Sequence, residues 1–180
     1  MKVFIAGARA VNILSEPVQK RLCNIYKKNY TVIVGDANGV DSAVQKYFSN
    51  INYRNVIIYA SEGITRNNIG NWEILKVDVP TQLRGFNYYA AKDIAMANDS
   101  DYGFMIWNGE SKGTLNNILN LLNMDKKSIV YLTASNTFYN IEELDDLQEL
   151  VDSCGQTTRI LLEKLKKTSM TSNYNQTSIF

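Results

Sequence analysis

The stretch Asn108-Gly109-Glu110-Ser111-Lys112-Gly113-Thr114 has the residue types best suited to holding an anion, lying between the apolar runs Tyr102 to Trp107 and Leu115 to Leu122. A strand that passes through a Gly, Ser and Thr loop straight into a helix lets several backbone N–H groups converge on one small anion. The loop therefore reads as a phosphate cradle. Two earlier turns repeat the layout: Met1 to Ile5 runs into Gly7-Ala8-Arg9, and Thr31 to Val34 runs into Gly35-Asp36-Ala37-Asn38-Gly39-Val40-Asp41. In an open parallel sheet such turns share the carboxyl edge, where ligands bind, so the three together predict a pocket.

Other candidates lie outside these turns. Guanidinium groups pair with phosphates in a fork and aromatic faces stack on bases, so Arg66-Asn67, Trp72 and Trp107 are candidates for gripping a base and a second phosphate. Trp107 at a strand end equally suits the core, and Trp72 equally suits anchoring its own loop. Lys92-Asp93 reads either as a surface ion pair or, given Ala91, Ile94 and Ala95 beside it, as a partly buried one. Any carboxylate chemistry would fall to Asp36, Asp41 or Glu110, although Asp36 and Asp41 also suit capping of the next helix.

Whole classes of chemistry are excluded by composition. The 180 residues contain no histidine, so Ser-His-Asp and Cys-His nucleophiles and histidine-ligated zinc cannot be built from this chain alone. Cys23 and Cys154 stand far apart without metal-ligand spacing and read as packing residues. A 45% hydrophobic and 21% charged chain is of ordinary globular make-up. Nineteen basic against 18 acidic residues leave a net charge of +1, from which nucleic acid is an unexpected partner. No apolar run reaches the roughly 20 residues that span a bilayer, and the chain opens on a strand, so the expected compartment is the cytoplasm.

The elements that must position these groups follow from apolar spacing. Val3 to Ala6, Thr31 to Gly35, Val56 to Tyr59, Tyr102 to Trp107 and Ser128 to Thr133 read as strands. Pro17 to Tyr26, Val40 to Phe48, Tyr88 to Ala97 and Thr114 to Met124 have helical spacing, the first opened by Ser15-Glu16-Pro17. This alternation predicts an α/β fold with an open parallel sheet, Rossmann-like, helices on both faces, over residues 1–134. Ala60 to Phe86 is expected to be a long polar loop. Within 135–167, the acidic Ile141 to Leu150 and basic Thr158 to Lys167 segments are expected to be amphipathic helices, packed on the same domain or on a partner subunit. The Ser/Thr/Asn/Gln-rich 168–180 reads as a flexible tail.

Val3 to Arg9, Gly35 to Asp41, Lys92-Asp93 with Met96, and Asp101 to Thr114 resemble the SLOG (SMF/DprA/LOG) superfamily, in particular its small stand-alone bacterial and phage branch. The resemblance covers about residues 1–134 and implies a nucleotide-type ligand. It places Gly109, Ser111, Gly113 and Thr114 on a phosphate, with Gly7, Arg9, Gly35, Asp36 and Asp41 lining the same cleft. LOG-type hydrolases carry a catalytic glutamate three residues after the Gly-Thr pair; here that position is Asn117, which cannot act as a carboxylate base. The expected function is thus binding, as sensor or sponge, of a nucleotide-derived small molecule such as an ADP-ribose-type signal, with nucleotide N-glycosidase or phosphate hydrolysis as the alternative. No cofactor or metal site is expected, Mg²⁺ entering only with a phosphate ligand, and relatives imply a homo-oligomer.

Overall fold

The computed structural model describes residues 1–177, with side chains described through Thr168. Its first strand, β1 (Lys2–Gly7), buries residues on both faces: Val3 and Ile5 point one way, Phe4 and Ala6 the other. Burial on both faces is what a central parallel strand requires. The chain continues through α1 (Glu16–Lys27), β2 (Thr31–Val34), α2 (Val40–Asn50), β3 (Val56–Ser61), β4 (Glu73–Val77), α3 (Gly85–Asp99), β5 (Tyr102–Trp107), α4 (Lys112–Leu122), β6 (Ser128–Leu132), β7 (Thr137–Ile141), α5 (Leu144–Cys154) and α6 (Gln156–Thr177).

Among the described residues, seven strands form one sheet in the order β4-β3-β2-β1-β5-β6-β7. All neighbours are parallel except β6 and β7. One face packs Val18, Leu22 and Ile25 of α1 and Val40, Val44 and Phe48 of α2. The other packs Met96 of α3, Leu115 and Ile118 of α4, Leu147 and Leu150 of α5, and Leu162 and Leu165 of α6. The fold is therefore α/β and Rossmann-like. Because β2 lies on one side of β1 and β5 on the other, the connections diverge at the carboxyl ends of β1 and β5, opening a crevice there.

Two strands were not expected. β4 falls inside the polar stretch from Ala60 to Phe86; as an edge strand it needs only one covered flank, and Glu73 and Lys76 leave its apolar pattern faint. β7 returns antiparallel beside β6, pairing Phe138 with Tyr131 and carrying the sheet past residue 134. Ile141, expected to start a helix, instead ends this strand. α5 starts at Leu144, where the Asp146 carboxylate accepts the Glu142 and Glu143 amides at 2.8 and 3.0 Å. Helix α6 runs to Thr177, through most of the stretch that composition assigns to a tail, whose last residues, 178–180, lie outside the described residues.

Candidate functional site

At the carboxyl end of β1 lies a cavity of about 390 Å³, walled by the start of α4, the inner side of α3 and the turns after β1 and β2. Of the residues singled out in the sequence, Gly7, Arg9, Asp41, Arg66, Lys92, Asp93, Ser111, Gly113 and Thr114 line it, together with Asn117. The others support it from outside. Ala8 is buried, its amide donating to Ile106 O at 3.0 Å. Gly39 has φ +83°, and a Cβ there would lie 2.5 Å from the Arg9 backbone, so this turn demands glycine. Gly35 is demanded by crowding: a Cβ would lie 2.4 Å from Asp41 Oδ2 and 2.8 Å from Lys92 Nζ.

Beneath the cavity sits a closed ionic knot. Asp36 accepts from Arg66 Nε at 3.0 Å, from Arg66 Nη2 at 2.7 Å, from the Arg66 amide at 3.1 Å and from Lys92 Nζ at 2.8 Å. Burial alone would raise its carboxyl, but these cations hold it well below the ordinary carboxylate range. Asp36 is thus neither a helix cap nor a free base. Asn67 belongs to the same knot, donating to Asp36 O at 2.8 Å and to Asn38 Oδ1 at 3.1 Å. Asp41 accepts from the Ala37 amide at 3.2 Å, and burial pushes its carboxyl up despite Lys92 nearby.

The loop before α4 is built differently from its reading as a ring of free amides. Asn108 Oδ1 takes the Ser111 amide at 2.9 Å and the Glu110 amide at 3.2 Å, while Ser111 Oγ caps the helix through the Thr114 amide at 3.4 Å. The amides of Lys112 and Gly113 lie at the helix start, where no intrahelical acceptor exists. A Cβ at Gly113 would meet nothing within 4 Å, so this residue faces open space. Gly109 faces away: its carbonyl accepts from Thr158 Oγ1 at 2.8 Å and its α-carbon packs toward Cys154. Glu110 is exposed and lies outside the cavity lining.

Both tryptophans are framework rather than base platforms. Trp107 is fully buried and props the loop from below through Nε1, which donates to Ser111 O at 3.1 Å. Trp72 packs on the opposite face of the sheet and donates to Tyr53 O at 2.8 Å. The exposed aromatics are instead Phe86 and Tyr89 at the start of α3, inside the segment read partly as loop. The Arg9 and Arg66 guanidinium carbons stand 5.2 and 5.4 Å from the Tyr89 ring centre, and Lys112 Nζ stands 3.9 Å from that of Phe86. The aromatic run Phe86-Asn87-Tyr88-Tyr89 was the available signal for them.

Deeper in the cavity, Asp93 and Asn117 meet across α3 and α4. Burial, aided by the Asp41 charge and opposed by Lys92 and Arg9, pushes the Asp93 carboxyl up to about 7. The Asn117 side chain hydrogen-bonds this carboxyl, yet its Oδ1 is buried with no partner, a deficit that typically costs about 1–3 kcal/mol. Among the described residues no group of three or more His, Cys, Asp or Glu is arranged to hold a metal, and no helix is long and apolar enough to cross a membrane.

No protein-family model matches the chain, and no curated protein matches it. A solved structure of DNA processing protein A from Helicobacter pylori, described for its single-stranded DNA binding mode, is similar in fold. The likeness has a TM-score of 0.55 at 17% identity and covers 93% of this chain and 81% of that one. It corrects two expectations. A protein of this fold binds single-stranded DNA, so a net charge of +1, which sums over the whole chain and says nothing of local charge, is no ground for setting nucleic acid aside. The reading of the cleft as a sensor or sponge for a small nucleotide, or as its hydrolase, gives way with it. That reading came from the phosphate loop, which suits a phosphodiester as well as a free phosphate.

Proposed function

We propose that the cleft binds an unpaired stretch of DNA, one phosphate resting at the start of α4 beside Arg9, and a base stacking on the exposed aromatic side of α3. The chain is, on this reading, a small relative of SLOG type. One observation carries it: helix-start amides, the exposed Arg9 guanidinium and the partly exposed rings of Tyr89 and Phe86, each already faced by a cationic side chain, line one solvent-facing groove. Backbone charge and stacking are the two contributions that hold single strands with little regard to sequence, and only an unpaired strand offers free base faces. The fold likeness to a single-stranded DNA-binding protein supports the same reading.

The test is fluorescence anisotropy with a labelled thymidine oligonucleotide at low salt. Saturable binding is expected, with log affinity falling against log salt by about 0.7 for each phosphate neutralised, and a duplex of equal length should compete poorly. Absence of binding at high micromolar protein, or equal competition by free thymidine monophosphate, would overturn the proposal.

A further inference from the structure

We infer that Asp93 and Asn117 form a base-reading subsite selective for guanine in the single strand, an inference that rests on the reading above. The two ends of the cleft differ in chemistry. Its mouth offers donors, namely the Arg9 guanidinium, the Lys112 and Gly113 amides and the Ser111 hydroxyl, which only accepts from Thr114 within the protein. Its depth offers acceptors: the Asp93 carboxyl and the Asn117 Oδ1, the latter on a side chain only 4% exposed and lacking any partner.

An acceptor pair in a nucleic-acid cleft needs a ligand that donates. Phosphates only accept, and an internal deoxynucleotide has no free hydroxyl, so the donors must come from the base edge. Guanine presents N1–H and the exocyclic N2 amine side by side, which a carboxylate accepts in bidentate fashion, leaving the second N2 hydrogen for Asn117 Oδ1. Thymine offers one N–H donor, and adenine and cytosine interleave their amine with an acceptor that would face the carboxylate. Burial holds Asp93 at about 7, with Lys92, Arg9 and Asp41 around it, so two N–H donors would favour its ionised form. The closed Asp36 knot keeps Lys92 engaged at 2.8 Å.

The experiment measures affinity of the full chain for thymidine oligonucleotides carrying one central guanine, inosine, adenine or thymine. The guanine strand is expected to bind tightest, by at least about fivefold over thymine, because a good bidentate base contact discriminates by roughly five- to a hundredfold. Inosine, lacking the 2-amine, should fall between them. Asp93→Asn should bring the guanine and thymine strands together. The comparison of guanine with inosine on the unmodified chain does not depend on any variant folding. Equal affinity for all four strands overturns the inference while leaving strand binding intact. A uridine ribo-oligonucleotide that binds tighter than every DNA strand, with no base effect, also overturns it, since the acceptors would then read a sugar hydroxyl. If no strand binds, the parent reading fails and this one with it.

Discussion

Asp36 and Asp93 lie near one lysine at the same sheet edge, and the protein treats them in opposite ways. Asp36 is surrounded by donors from Arg66 and Lys92, and its carboxyl is held low. Asp93 is pressed against an asparagine and lies within the field of another carboxylate, and its own carboxyl is pushed up to about 7. A carboxylate ringed by donors from two cations fastens the turns together, whereas one that faces a cavity with a single asparagine against it keeps acceptor capacity for a ligand. Position near a glycine turn does not distinguish the two; the count of donors around each does.

The comparison breaks most visibly at the knot. Lys92→Met leaves Asp36 and Asp41 buried without their shared cation, and removing one partner of a buried pair is expected to lower unfolding free energy by about 3 kcal/mol or more, read as the midpoint of urea unfolding at neutral pH. An unshifted midpoint would mean that the knot is not structural. Acid separates the two carboxylates further. Asp36, depressed in the folded state, contributes stability above about pH 4 that is lost as pH falls through its folded value. Asp93 works in the reverse direction: the unfolded chain releases this proton near pH 4 and the folded chain keeps it to about 7, so stability falls as pH rises across that window. Asp93→Asn should therefore flatten the decline between pH 4 and 7, and a decline that persisted in the variant would assign it to another group.

Within the cleft, stacking is expected to outweigh the loop. Tyr89→Ala should weaken oligonucleotide binding by about 1–3 kcal/mol, as loss of an aromatic platform does, without unfolding a residue that is 41% exposed. Competition titration of the folded variant decides this, and wild-type affinity would remove Tyr89 from the site. The smallest effect belongs to Gly113→Asp. A side chain there fits sterically, since nothing lies within 4 Å, but it brings a carboxylate to the helix start, and about a tenfold loss of affinity, roughly 1.4 kcal/mol, is expected. Calorimetry giving unchanged binding would place the phosphate elsewhere.

Strand and helix periodicity carried most of the architecture, because central parallel strands and the helices covering them must be apolar on a fixed period whatever surrounds them. The two strands it missed are both at sheet edges, where one flank is open and charged or polar residues blur the pattern. The turns bearing Gly7, Gly35 and Gly39 were legible from residue type, because each glycine follows an apolar strand; the contacts that demand glycine there, with Ile106 O, with Asp41 and Lys92, and with the Arg9 backbone, belong to the folded chain. Which residues meet across those turns was not local. Arg66 and Lys92 reach Asp36 from positions 30 and 56 residues away, and only the packing of α3 beside the β3–β4 connection brings them there. The exchange of roles between the tryptophans, drawn into the core, and Tyr89 and Phe86, left at the mouth, was decided by which side of each element faces the sheet. The unpartnered Asn117 Oδ1 is of the same kind, since a sequence names the amide but only the folded chain withholds its partner.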